Sequence, residues 1–177
     1  QRLGDLVDDL LDLAALDRPD HRPILVAVDL AAVAHAVVHS MADRAERAQV
    51  TVVVEISLGC MVLAEPKGLH HVLINLLDNA VAYAGAGAQV RVDAEAAAGA
   101  LSPKWVRVYV SDCGVGIAAA HLPRLFERFY RVDAGRSRQH GGTGLGLAIV
   151  KHHIEAMGGS VGVHSEVGKG ARFWFEL

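Results

Sequence analysis

The chain has 177 residues, which fits one domain with a short appendage, and 52% of them are apolar, enough to fill a core. Acids outnumber bases 20 to 17 for a formal charge of −3, and no basic stripe runs through the sequence, which excludes a nucleic-acid face. No apolar run reaches the length of a membrane span, no signal peptide opens the chain, and Cys60 and Cys113 lack metal-type spacing, so the composition fits a reducing, cytoplasmic setting.

Gln1 is not an initiator Met, which predicts a piece of a longer chain. Leu3, Leu6, Val7, Leu10, Leu11, Leu13 and Ala14 form a helical apolar stripe, opposed by Asp5, Asp8, Asp9 and Asp12. Asp17-Arg18-Pro19-Asp20 breaks that helix, because Pro removes a donor and restricts its predecessor. The chain therefore divides into residues 1–17 and a domain over 18–177, and so short a helix needs a partner helix to be stable. Residues 23–28 read as a strand, and Asp29 caps a helix running to about Arg47. His35 and His39 on that helix have the spacing of a ligand pair, but no further ligand is placed beside them, and a solvated face is the better reading. Val50–Ile56 is a β-branched strand. Glu65-Pro66 opens a helix that runs to about Ala84 and stops at Gly85-Ala86-Gly87. Gln89–Ala94 and Trp105–Ser111 alternate like paired strands. From Gly114 to Thr143 the pattern lapses, except for short helical turns around 118–128; such long, polar, glycine-bounded stretches are functional or mobile. A helix over Gly144–Met157 and a hairpin of Ser160–Ser165 with Ala171–Leu177 close the chain. These elements sum to a two-layer α/β sandwich, a sheet with helices on one face.

Four groups of residues carry chemistry. His71, Asn75 and Asn79 share one helix face at i, i+4 and i+8, opposite Leu73, Leu76, Leu77 and Ala80. Asn is a mediocre helix former, so two in mid-helix ask for a reason; their amides suit a hydrated Mg²⁺ and phosphate oxygens. Asp112-Cys113-Gly114-Val115-Gly116 ends a strand. A carboxylate there can accept a hydrogen bond from the exocyclic amine of adenine, whereas guanine would set two acceptors face to face. Gly141-Gly142-Thr143-Gly144-Leu145-Gly146-Leu147 opens a helix, where exposed amides bind phosphate; it is neither a Walker loop nor a dinucleotide-binding GxGxxG. Between these lies Phe126-Glu127-Arg128-Phe129-Tyr130-Arg131, in which Phe126 and Phe129 are expected to pin a short helix to the domain. Arg128, Arg131, Arg136 and Arg138 place cations where one or two can neutralise a γ-phosphate.

In order and spacing, N-L-L-D-N-A (75–80), D-x-G-x-G (112–116), F-x-x-F-Y-R (126–131) and G-T-G-L-G-L (142–147) resemble the N, G1, F and G2 boxes of bacterial sensor histidine kinases. The similarity covers about 21–177, and FERFYRVD followed by GGTGLGLAIVKH looks like the branch that includes phosphate-starvation sensors. Residues 1–17 resemble the end of the second helix of the dimerisation domain. The resemblance implies a Bergerat-type ATP-binding fold with a mixed sheet, three main helices and an ATP lid at about 114–143. It implies ATP and Mg²⁺ as cofactors, with Asn75 on the metal, Asn79 and Arg131 on the phosphates, Tyr83 lining the pocket, Asp112 holding adenine, and Gly114 and Gly116 shaping the base pocket. Ile117, Phe129, Tyr130, Gly142, Thr143, Gly144, Leu145, Gly146 and Leu147 complete the implied nucleotide site. The implied reaction carries the γ-phosphate to a histidine of the dimerisation domain and on to a response regulator receiver domain. The implied parent is a homodimer with this portion in the cytoplasm, touching neither membrane nor nucleic acid.

Two departures stand out. Ala82 occupies the position, three after the second Asn, where the family usually carries Lys or Arg. No histidine is followed by the acidic residue and Arg-Thr-Pro of a phosphoacceptor site, so this chain is not expected to phosphorylate itself. His71 either polarises a water or caps the pocket; one His beside amides shows no base–orienter pair, which favours the structural role. Two other classes remain: a nucleotide-sensing module whose catalysis has decayed, supported by Ala82, and another Bergerat-fold ATPase, which the FERFYR segment and the Asp-rich helix oppose.

Overall fold

A computed structural model of the chain describes residues 22–96, 105–132 and 143–177. The helix expected at 1–17, the boundary after it and the segment 133–142 lie outside these residues.

Strand β1 (Val26–Asp29) leads into helix α1 (Leu30–Ser40). The Asp29 carboxylate accepts from the Ala31 and Ala32 N–H groups at 3.0 and 3.3 Å, the N-cap expected of it. The helix does not run on to Arg47. It breaks at Met41 (φ −98°, ψ 3°), and a second helix, α2 (Ala42–Ala48), follows. The Ser40 hydroxyl donates to the Val37 carbonyl at 2.7 Å, competing with the helical ladder, while Met41 turns its side chain into the core. Strand β2 (Thr51–Glu55) stands where the β-branched run placed it. Strand β3 (Met61–Ala64), unforeseen, pairs antiparallel with β1 from Val26↔Ala64 to Asp29↔Met61.

Helix α3 (Pro66–Ala84) has the bounds its sequence indicates, Pro66 in the first turn and Gly85 at the end. Strands β4 (Gln89–Ala96) and β5 (Val106–Ser111), a 3₁₀ turn (Leu122–Arg124), helix α4 (Gly146–Ala156) and the hairpin β6 (Ser160–Ser165) and β7 (Ala171–Glu176) complete the described chain. The main sheet is ordered β2-β4-β5-β7-β6, with β2 parallel to β4 and the remaining pairs antiparallel. It is a mixed sheet, and with α1, α3 and α4 as the long helices it forms the expected α/β sandwich. Leu73, Leu76 and Leu77 of α3 pack into one core with Val90, Val92, Val108, Phe173 and Phe175 of the sheet.

The residues that alternate with these core positions carry a polar network. The Arg172 guanidinium carbon lies 3.6 Å from the Tyr109 ring centroid and the group pairs with Asp93; that of Arg107 lies 4.7 Å from Trp174 and the group pairs with Glu176. Cation–π and ionic contacts let these residues lie flat over strands whose alternate side chains fill the core.

Candidate functional site

Two helices and one strand end converge on the site. On α3, His71, Asn75 and Asn79 are half-buried along one side, while Leu73, Leu76, Leu77 and Ala80 are buried. Asn75 donates its amide N–H to the His71 carbonyl at 2.9 Å, which turns its Oδ1 toward the start of α4. A Cβ on Gly146, the first residue of α4, would stand only 2.6 Å from that oxygen. Glycine therefore lets the helix N-terminus press against Asn75. Among the described residues no side chain caps α4, so its first N–H groups point out of the helix with the positive end of its dipole. Thr143 holds the approach by accepting from the Leu145 N–H at 3.2 Å, and Leu145 is fully buried in a small cluster with Ile149. Leu147 packs half-buried against the main core. The helix begins two residues later than its pattern suggests, because Gly144 is left-handed (φ +75°) and ends the loop instead. His71 sits at the seam of α3 and α4, its ring 5.6 Å from that of His153 and nearly perpendicular to it.

Asp112 leaves the end of β5. Its Oδ1 accepts from the Gly114 N–H at 2.8 Å and the Ala171 N–H at 3.3 Å, and among the described residues its Oδ2 receives no hydrogen bond. Burial pushes the carboxyl above the usual aspartate value, and the two backbone hydrogen bonds only partly oppose it. The glycines beside it are places of close approach. A Cβ on Gly114 would overlap the Tyr83 carbonyl oxygen at the end of α3, and one on Gly116 (φ +67°) would overlap the Glu166 carbonyl oxygen. Ile117 is held by its N–H to the Ser165 hydroxyl at 2.8 Å, and that hydroxyl donates to the Gly170 carbonyl at 2.6 Å. The D-x-G-x-G loop is thus clasped between the last turn of α3 and the β6–β7 turn. The hairpin itself stands where its pattern placed it, but the grip of Ser165 and the β6–β7 turn on this loop left no trace in the sequence beyond a Ser at the foot of an alternating strand.

The segment after it is packed as far as Tyr130. Leu125 is buried, and the Phe126 ring meets that of Phe173 edge-on at 6.4 Å. Phe129 does not share this role, contrary to expectation. It is 60% exposed, with a left-handed backbone (φ 62°), and its N–H donates to the Gly144 carbonyl at 2.9 Å. The reversal there turns its ring out of the core, which helical i, i+3 spacing could not foretell. Tyr130 packs half-buried against the core, and Arg131 follows with its Nε shielded from solvent. Tyr83 is 41% exposed beside Gly114, and Ala82 is half-buried. Gly142, with Arg136 and Arg138, lies outside the described residues. His35 and His39 stay on the α1 surface, and among the described residues no group of three metal-ligating side chains forms. No described helix is long and apolar enough to cross a membrane.

Residues 64–177 match the family described as histidine kinase-, DNA gyrase B-, and HSP90-like ATPases. The chain is 36% identical over 99% of its length to the sensor-like histidine kinase SenX3 of Mycolicibacterium smegmatis, covering 44% of that protein. It is 39% identical along its whole length to the sensor protein IrlS of Burkholderia pseudomallei, covering 37% of it. It thus spans less than half the length of these curated relatives. Among solved structures, full-length ShkA in complex with AMPPNP superposes with a TM-score of 0.84 at 36% identity, over 98% of this chain and 35% of ShkA.

Proposed function

Because this chain belongs to the histidine kinase-, DNA gyrase B- and HSP90-like ATPase family, we propose that it is the ATP-binding, phosphate-donating domain of a sensor histidine kinase. The observation that carries the proposal is the placement along α3 of Asn75 against the N-terminus of α4, which no described side chain caps, and of the Asp112 loop against Tyr83 in the last turn. An ATP analogue bound to a structurally similar chain supports the same use of the fold.

Asp112 Oδ2 accepts a hydrogen bond from the exocyclic amine of adenine and leaves the carbonyl of guanine without a donor. Gly114 and Gly116 seat the loop tightly against the Tyr83 and Glu166 carbonyls, which shapes the wall of the base pocket. Tyr83 and Ile117 flank the base. Asn79, the first amides of α4 and Arg131 bind phosphate oxygens. The site suits magnesium: Asn75 supplies a neutral oxygen, Gly146 leaves room beside it, and Mg²⁺ keeps most of its waters when bound with phosphates. The metal would neutralise charge on the polyphosphate. The γ-phosphate goes to a histidine on a dimerisation domain and then to a receiver domain, within a homodimeric parent whose catalytic part is cytoplasmic.

Calorimetry with MgATP, MgGTP and Asp112→Asn tests the site. Selective ATP binding that is lost in the variant is the expected result; equal binding of GTP would remove Asp112 from the base. Adding a separate dimerisation domain with radiolabelled ATP tests the reaction. Tight ATP binding without transfer would assign the chain to nucleotide sensing.

A further inference from the structure

Tyr130 is held on three sides by residues that the ATP site does not otherwise use. Its hydroxyl lies 2.7 Å from His121 Nδ1. The Arg124 guanidinium carbon lies 4.4 Å from its ring centroid. Its N–H donates to the Glu127 carbonyl at 3.3 Å. Arg124 is itself fixed by Glu127, with Nε and Nη2 each 3.0 Å from Oε2. One step before Tyr130 the chain reverses at Phe129, whose N–H reaches the Gly144 carbonyl. One step after it comes Arg131.

Both halves of this arrangement are specific. A tyrosine hydroxyl donates and accepts, so either neutral tautomer of His121 keeps the bond. The flat guanidinium of Arg124 covers the ring face while its own donors stay with Glu127. The backbone of Arg131 therefore starts from a fixed tyrosine rather than a swinging loop, beside the glycine that leads into α4. Preorganisation of this kind lowers the cost of placing a long cation on a phosphate.

We propose that His121 is a positioning residue for nucleotide binding: by holding the Tyr130 hydroxyl, with Arg124 against the ring, it aims Arg131 at the terminal phosphate. The inference rests on the reading that the site takes ATP and that Arg131 meets its phosphates. A residue acting this way separates ATP from ADP, because only ATP has the phosphate that Arg131 would reach. A brace that merely supported the fold would weaken both nucleotides alike.

The test measures ATP and ADP affinities by calorimetry for the wild type, His121→Phe, His121→Asn, Tyr130→Phe, the double variant and Arg131→Ala, with a thermal melt of each. His121→Phe and Tyr130→Phe should each reduce the preference for ATP over ADP by about 5- to 10-fold, the range of one lost hydrogen bond. The double variant should lose no more than either single one, because both remove the same bond. His121→Asn, which can still bond the hydroxyl, should recover part of the preference. An unchanged ATP/ADP ratio in His121→Phe, with Arg131→Ala collapsing it, would overturn the positioning role alone. Arg131→Ala leaving the ratio intact would remove the phosphate role of Arg131 and this inference with it. A folded wild type that binds no ATP would bring down the proposed function as well.

Discussion

One oxygen of Asp112 anchors the loop, and the other faces no donor within the described protein. Burial raises the carboxyl, so its ionised form is held in the fold against its preference. A carboxyl raised on folding makes stability fall as pH climbs from the ordinary aspartate range through the raised folded value. Asp112→Asn removes that cost and keeps an oxygen for the Gly114 and Ala171 N–H groups. The variant should melt no lower than the wild type at pH 7 while binding ATP about 10- to 100-fold more weakly, the range for a hydrogen bond to a charged group. ATP affinity of the wild type should also drop on acidification at a pH above that of an ordinary aspartate, and the variant should lack that step. A lower melting temperature for the variant would mean that the charge serves the fold. At Gly146 the expectation is the reverse of helix propensity. Alanine is the better helix former, yet its Cβ would stand 2.6 Å from Asn75 Oδ1. Gly146→Ala should cost MgATP affinity, read by calorimetry, with little change in urea midpoint.

Among the elements, α1 shows how a cap and a break divide a single apolar run. Asp29 satisfies two N–H groups, and the Ser40 hydroxyl with the buried Met41 ends the helix before α2. Asp29→Ala should destabilise the fold by about 1 kcal/mol in urea unfolding, the usual worth of such a cap, and leave nucleotide affinity unchanged because α1 does not reach the site. Helix α3 was legible almost to the residue, since Pro66, Gly85 and the leucine stripe mark its start, stop and buried side. Strand β3 was not, because four residues make too short an alternation and its stability comes from pairing with β1. Phe129 departs from its spacing for a related reason: a left-handed residue held by a carbonyl fifteen positions away leaves no periodic trace.

At the scale of the whole molecule, the sandwich sets Gly146 against Asn75, 71 positions earlier, and Gly114 against Tyr83, 31 positions earlier. The phosphoacceptor context is absent from the sequence, so the chain incubated with radiolabelled ATP should carry no acid-labile label until a dimerisation domain is added. Label on the chain alone would refute this. Ala82 lies one turn beyond Asp78 on α3, where the resemblance expects a cation. Ala82→Lys should tighten ATP binding severalfold at low salt, an effect that fades as salt screens the charge. No tightening would show that this position faces away from phosphate.

Local physics wrote much of this protein directly into its sequence: the helix faces, the caps, the sandwich class and the four motifs all follow from periods, breakers and residue chemistry within a few positions. Tertiary structure alone decided which glycines meet a neighbouring backbone and which oxygen of Asp112 accepts no hydrogen bond among the described residues. It also set Ser165 beneath Ile117 and fixed Tyr130 between His121 and Arg124. The reason is physical. Each of these depends on the close approach of segments distant in the chain, and the sequence pattern records which side of an element is buried but not which atom it will meet there.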